Sequence, residues 1–543
     1  MDRQCSFDIV SGIAGLGLFA ALVLGGCGDD SAKVDNGGPA DGGGLDAASG
    51  DDGSTGGLIG PEGGVVEGPG GVRVTVPAGA VATPIAIQVT PALPGELPPD
   101  VRGVTLAGAA WSITPHGATF AVPVTVRLPY DATLAPTPLV PTILHAPTSA
   151  AWTELTDAAV VEDGFVEGKT TSFSPFAPAV TLAFKEIQRN CGLTYLGEVW
   201  CWGNDWWSGG TTWSVPTRVT STPALSSFSV GGDAICGIGP LDRIYCVSEG
   251  NSAVSTSTTL APVDSTLSFS KVSLGGAHAC AITTSTGLVY CWGDNLRGQL
   301  GNGTAGSIGG NATPTEILPG GKSFIDVAAG GQHSCAVTTT GDLYCWGDDL
   351  YGQVVLGGKN YLATPTMLAS GFEAVSAGAQ HSCGVKTTGV GACWGYNYDG
   401  EVGDGTAGSG VFTDPNEHKP VTDIPGFTWF VDTPTRSGLV AGSSSTCGRS
   451  SAAGTYCWGS DLYGQIGDGG PVPTTKKQPT PTQVTMALDF RWIWPGSTTC
   501  GIDSSGATWC WGNNAEGGLG IGTVDTDLHA TPERVKMTDL AGP

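Results

Sequence analysis

Cys335-Ala-Val-Thr-Thr-Thr-Gly-Asp-Leu-Tyr-Cys345-Trp346-Gly347 is the stretch that decides the fold. If the two cysteines face each other on an antiparallel hairpin, Ala336 meets Tyr344, Val337 meets Leu343, and Thr339-Thr340-Gly341 is left as a three-residue loop. Glycine then supplies the left-handed conformation such a loop wants. Directly opposed strand residues have Cβ atoms about 4.5–5.5 Å apart, so a modest local adjustment brings two cysteines into bonding range. Closing a loop of about ten residues is worth roughly 3 kcal/mol on the chain-entropy model.

Close copies recur through the C-terminal two-thirds, at Cys191/Cys201, Cys236/Cys246, Cys280/Cys291, Cys335/Cys345, Cys383/Cys393, Cys447/Cys457 and Cys500/Cys510. In all but the second the later cysteine is followed by Trp-Gly. The period of about 45 to 65 residues is that of propeller blades. Each copy is preceded by a strand such as Phe324-Ile-Asp-Val-Ala-Ala, and most are followed by a Gly-Gln-Leu-Gly type turn, as at Gly298, Gly352, Gly400, Gly464 and Gly517, and then a Thr-Pro step. Strand, hairpin, turn and strand make four strands per unit. The expectation is an all-β chain whose second part is a seven-bladed β-propeller with one disulfide per blade.

Composition narrows the partners. The chain of 543 residues carries 23 Lys plus Arg against 49 Asp plus Glu, a net charge of −26, so its surface repels phosphate backbones and nucleic acid is not expected. Sixteen cysteines, mostly in regular pairs, point to an oxidising compartment. Length alone implies more than one domain.

Residues 1–27 read as an export signal. Arg3 supplies a weak positive start, Ile9 to Gly26 is uncharged and apolar, and the run ends in Leu24-Gly-Gly-Cys27. This resembles a bacterial lipoprotein signal, which implies lipidation at Cys27, and Gly28 implies outer-membrane sorting; a transmembrane anchor is the rival reading. Residues 28–57, rich in Gly, Asp, Ser and Ala, read as a hydrated tether. From 58 to 180 short alternating strands such as Val72-Arg-Val-Thr-Val and Ile85-Ala-Ile-Gln-Val-Thr predict a β-sandwich. Gly60-Pro-Glu-Gly-Gly, Val76-Pro-Ala-Gly-Ala, Pro123-Val-Thr-Val-Arg-Leu-Pro-Tyr130 and Trp152-Thr-Glu-Leu give this segment a resemblance to the β-sandwich of zonula occludens proteins and netrin receptors. That resemblance implies a spacer or interaction module.

The motif order over 182–537 resembles the regulator of chromosome condensation repeat family, where seven blades are usual. The first unit lacks the Gly-x-x-His approach to its cysteine, and the second has Val247 in place of Trp. The family's eukaryotic founder exchanges nucleotide on a nuclear GTPase, an activity not carried over to an exported acidic chain.

Candidate sites are few. His278, His333 and His381 stand two residues before the first cysteine of three successive units; three converging imidazoles would suit zinc, and capping of a blade turn is the bland alternative. The Trp of each Cys-Trp-Gly reads as packing between blades. Aromatics off the repeat frame, namely Trp206, Trp207, Trp213, Tyr351, Tyr396, Tyr398, Trp429, Trp492 and Trp494, are the candidate ligand contacts, because loops on a rigid scaffold carry binding. Asp348/Asp349 lie in a turn and are poor candidates for glycosidase acids. No phosphate loop, nucleophile elbow or His-Glu-x-x-His occurs. The reading is a lipid-anchored envelope protein that binds a protein or glycan without cofactor or catalysis. An extracellular enzyme acting on polysaccharide at the propeller centre, or a structural display protein, are the alternatives.

Overall fold

The computed structural model describes residues 55–536 apart from short stretches, of which 94–103, 132–139, 205–211, 410–417 and 430–437 are the longest. The signal and Cys27, most of the tether, and Trp206 and Trp207 lie outside the described residues.

Cys335 and Cys345 face each other on strands His333–Thr338 and Asp342–Asp348, with Ala336 opposite Tyr344 and Val337 opposite Leu343. Gly341 in the loop between them has φ 84°, as the three-residue connection requires. The two cysteines are bonded with Cα atoms 4.1 Å apart. The same cross-hairpin disulfide closes Cys191–Cys201, Cys236–Cys246, Cys280–Cys291, Cys383–Cys393, Cys447–Cys457 and Cys500–Cys510.

Each hairpin is the centre of a four-stranded antiparallel sheet, and seven such sheets follow one another among the described residues, numbered 1 to 7 below. Their first strands are Phe184–Gln188, Ser227–Val230, Phe269–Leu274, Phe324–Ala329, Phe372–Ala377, Leu439–Ala441 and Phe490–Trp494, and all of them line one central channel. No α-helix occurs among the described residues. In each sheet the first-to-second and third-to-fourth connections emerge at one end, here the loop face; the hairpin tips lie at the other.

The sheets meet through backbone at the loop-face end of the channel. The Gly232 amide donates to Gly275 and Gly276, the Gly276 amide to Gly330 and Gly331, the Gly331 amide to Gly378 and the Ala379 amide to Gly442. A Cβ at Gly331 would stand 2.3 Å from the Ala379 carbonyl oxygen, and one at Gly276 2.5 Å from that of Gly331. At these two positions a side chain would meet the neighbouring sheet's backbone, which explains the Gly-Gly steps ahead of His278 and His333; sheet 5 carries Gly378-Ala379 at the same place.

Further out, each Trp of Cys-Trp-Gly is buried and reaches back to the preceding sheet. Trp346, Trp394, Trp458 and Trp511 donate Nε1–H to the carbonyls of Gln299, Gln353, Glu401 and Gln465, at 2.8, 3.0, 2.9 and 3.0 Å. These carbonyls belong to the Gly-Gln-x-Gly turns, so turn and Trp form one joint. The ring closes the same way, with Trp202 of sheet 1 donating to Gly518 of sheet 7 at 2.8 Å. Trp292 is the exception: its buried Nε1 has no partner, because sheet 2 carries no such turn.

Residues ahead of the propeller form two antiparallel sheets. One joins Thr55–Ile59, Ile85–Pro91, Trp111–Thr114, Pro175–Thr181, Val140–Thr148 and Ala151–Glu154 in that order; the other joins Ala159–Glu162, Phe165–Ser172, Thr119–Pro129, Arg73–Val76 and Gly64–Glu67. Their shared core holds Val74, Ile87, Val89, Ile113, Val124, Val126, Leu128 and Phe176. The period-two pattern of Val72 to Val76 thus marks one buried face. The first strand begins inside the stretch read as tether.

Candidate functional site

The loop-face turns are built to be rigid. Asn295, Asp349, Asn397, Asp461 and Asn514 each accept, through Oδ1, the amide of the residue five positions on, at 3.1, 3.0, 2.9, 3.2 and 3.2 Å. Asp349 is therefore a buried turn clamp. Asp348, also buried, accepts from Gln353 Nε2 at 2.9 Å, so neither is placed as a glycosidase acid. Burial pushes Asp461 up to about 6, with Asp468 adding to the rise. Asn302, Asp404 and Asp468 cap tight turns by accepting the amides of Thr304, Thr406 and Gly470.

The histidines do not converge on one point. His278, His333 and His381 are buried, and each places Nε2 on a hydroxyl of the next sheet: Ser334 at 2.8 Å, Ser382 at 2.7 Å and Thr446 at 2.9 Å. Ser334 donates onward to the Gln299 carbonyl and Thr446 to that of Glu401, so both must accept from Nε2–H. His278 and His381 thus tie into the turn-and-Trp joint. Burial holds them well below the usual range, His278 at about 4, His333 at about 3 and His381 at about 4. Among the described residues no three His, Cys, Asp or Glu side chains are grouped to hold a metal. The zinc alternative gives way to blade-to-blade bracing.

Glu401 stands where sheets 3, 4 and 6 carry Gln. In those turns Gln Oε1 accepts a local amide, as from Arg297 and Tyr351, and in sheets 3 and 4 Nε2 donates to Asp294 or Asp348. Glu401 keeps the first bond, from Asp399 at 2.9 Å, but Tyr396 replaces the aspartate and Oε1 is buried without a partner. Burial pushes its carboxyl up to about 8.

The off-frame aromatics divide. Tyr351, Tyr396 and Tyr398 come together on the loop face, with Tyr351 and Tyr396 centroids 4.8 Å apart, edge to face, and Tyr396 stacked 6.2 Å from Tyr398. Lys477 caps the group 3.3 Å from the Tyr398 centroid and donates to the Tyr398 carbonyl at 2.8 Å. All three tyrosines are half-buried. Trp429 is a correction: it is 3% exposed, packed against Trp458, Phe427 and Tyr456 in the core between sheets 5 and 6, and offers no face to a ligand. Trp213 packs against the core between sheets 1 and 2.

Sequence reasoning missed the exposed apolar residues on the equivalent turns of this face. Leu296, Leu350 and Leu462 recur one residue before the Arg or Tyr of each turn and are 43, 39 and 39% exposed, and Tyr463 is 41% exposed. The signal was present as Leu-Arg-Gly-Gln, Leu-Tyr-Gly-Gln and Leu-Tyr-Gly-Gln, a leucine repeated just outside the structural turn and twice followed by tyrosine. Trp492 and Trp494 instead reach the wall of the central channel, a cavity of about 550 Å³.

Comparison with known proteins agrees with this geometry. The model of the regulator of chromosome condensation (RCC1) repeat matches residues 269–299 and 324–353, a second model of that repeat matches 286–337, and the ZU5 domain matches 55–143. Human E3 ubiquitin-protein ligase HERC2 is 28% identical over 317 residues, covering 56% of this chain and 6% of the ligase. The Arabidopsis thaliana ultraviolet-B receptor UVR8 is 27% identical over 284 residues, 50% of this chain and 59% of the receptor. The chain thus spans a small part of the ligase and under two-thirds of the receptor. Among solved structures, Saccharomyces cerevisiae Prp20p superposes with a TM-score of 0.54 at 16% identity over 65% of this chain and 87% of its own. Human WBSCR16 gives 0.50 at 20% identity over 60 and 84%. The chain carries regulator of chromosome condensation repeats folded as a β-propeller, preceded by a segment that matches the ZU5 domain.

Proposed function

We propose that this chain is a non-catalytic binding protein, exported and lipid-anchored at Cys27 to a bacterial envelope, that engages a protein ligand through the loop face of its propeller. The observation that carries the reading is the half-exposed cluster of Tyr351, Tyr396 and Tyr398, on the same face as the exposed Leu350, Leu462 and Tyr463 of the equivalent turns. Tyrosines held on turns clamped by Asp349 and Asn397 lose little entropy on binding, and such aromatics dominate interface energetics. Export is supported by the Leu24-to-Cys27 motif and by the disulfides, which an oxidising compartment maintains. Yeast Prp20p has binding properties toward Gsp1p and histones; a chain of net charge −26 that reads as exported is proposed to meet neither.

The test uses the oxidised chain as bait on envelope extract, with the captured partner purified and titrated back. A saturable complex weakened at least tenfold by Tyr351→Ala with Tyr398→Ala is expected; retention of full affinity by that variant contradicts the reading. For the anchor, Cys27→Ser is expected to release the protein from membranes, and unchanged retention contradicts it.

A further inference from the structure

The channel is not evenly lined. Opposite the first cysteine of each sheet stand Gln188, Ser229, Ser273, Ala328, Ser376, Val440 and Trp494, one layer around the wall. Six of these are small or polar. Sheet 7 alone places an indole there, half-buried, and among the described residues its Nε1 makes no hydrogen bond, whereas Trp492 gives its Nε1–H to the Ile187 carbonyl. Packing between sheets therefore claims Trp492 and leaves Trp494 facing the channel.

Three serines, Ser229, Ser273 and Ser376, give the layer hydroxyl donors. Ser273 and Ser376 accept the amides of Ala329 and Ala441 through Oγ, each at 3.0 Å, which leaves their hydroxyl protons to give. The charged side chains on the channel are Arg189, Lys271, Arg449 and Arg491 against Glu186 and Glu516, an excess of cations in a molecule of strongly negative net charge. Lys271 is ion-paired with the buried Asp326. Arg189 directly follows the first strand of sheet 1, Trp494 ends that of sheet 7, and those sheets are neighbours in the ring, so both border the loop-face mouth. Its Nη1 is pinned to the Gly231 carbonyl at 2.8 Å. Its backbone has φ 51°, a left-handed conformation uncommon for a side chain of this size.

We propose that the central channel binds an acidic saccharide, with a sugar ring against Trp494, ring and hydroxyl oxygens taking protons from the serine layer, and the carboxylate at Arg189. A cavity of about 550 Å³ falls in the range of small-ligand sites. An aromatic face suits the apolar face of a sugar, and the guanidinium fork matches a carboxylate. At the loop-face mouth the proposal uses one arginine, which matches a single carboxylate and is too little for a polyphosphate. This site is separate from the tyrosine cluster, so different variants decide the two readings.

The experiment is calorimetric titration of the oxidised full chain with digalacturonic acid, and in parallel with cellobiose and with AMP. Saturable binding of digalacturonic acid with a change in tryptophan fluorescence is expected, with cellobiose and AMP at least tenfold weaker. Arg189→Gly, which suits the left-handed backbone, is expected to weaken binding at least tenfold at an unchanged thermal midpoint, and Trp494→Leu to do the same. Tyr351→Ala leaves it unchanged. No saturable binding of digalacturonic acid, equal binding by the Arg189→Gly and Trp494→Leu variants, or tighter binding of cellobiose or AMP each overturns the proposal.

Discussion

Trp292 and Trp346 occupy the same repeat position, are both fully buried, and differ in one bond. Trp346 donates to the Gln299 carbonyl at 2.8 Å, while Trp292 Nε1 is buried with no partner. Replacing either by phenylalanine removes the same volume, so the packing loss is common to both. At Trp346 the change also removes a hydrogen bond worth about 1 kcal/mol, although Gln299 keeps the Ser334 hydroxyl at 3.0 Å as a second donor. At Trp292 it removes a desolvated N–H whose burial costs about 1–3 kcal/mol. Trp346→Phe is therefore expected to lose about 2–4 kcal/mol more than Trp292→Phe. Urea unfolding of the disulfide-intact variants, followed by far-UV circular dichroism with a common slope, measures the difference. Equal losses, or a larger loss at Trp292, would refute the assignment of the turn-and-Trp joint.

Other consequences follow from the same contacts. Glu401 is raised to about 8 from 4.5, so the folded state holds a proton that the unfolded chain has released, and stability falls as pH rises between those values by up to about 1.4 kcal/mol per unit. Glu401→Gln should abolish that slope and raise stability at pH 8, as thermal unfolding against pH would record. The three histidines act with opposite sign: each is depressed from 6.5 to between about 3 and 4, so stability is lost as pH falls below 6.5. His333→Gln should lower the acid slope by up to about 1.4 kcal/mol per pH unit, and an unchanged slope would count against neutral buried imidazole. Gly331→Ala, with its Cβ 2.3 Å from backbone, should cost on the order of 3 kcal/mol, whereas Gly321→Ala, with nothing within 4 Å and φ 84°, should cost only the conformational penalty of about 1–2 kcal/mol.

The hairpin was legible because everything that sets it is local: two cysteines ten residues apart fix the register, and Thr-Thr-Gly fixes the loop. The joints between sheets were not, because they pair residues about 40 to 65 positions apart through backbone atoms that sequence does not display. The histidines illustrate this. Their repeat position was visible, but their partners Ser334, Ser382 and Thr446 lie one unit downstream. Trp429 was misjudged because standing off the repeat frame looks like exposure, yet the core between sheets 5 and 6 takes it in. The irregular units were also informative. Sheet 1 has no Gly-Gln-x-Gly turn and sheet 2 has Val247 in place of Trp, so both halves of that joint are missing together. Sheet 2 lacks the turn while sheet 3 keeps its Trp, and there a buried donor is left over.

The central claim is that binding uses the loop face, and exposed leucines on the hairpin-tip face, Leu196 at 71% and Leu241 at 79%, offer a direct comparison. The decisive measurement is the affinity of the captured partner for two oxidised variants, Tyr351→Ser with Tyr463→Ser, and Leu196→Ser with Leu241→Ser. The account predicts at least a tenfold loss for the first pair and wild-type affinity for the second; the reverse result would place the interface on the opposite face and contradict it.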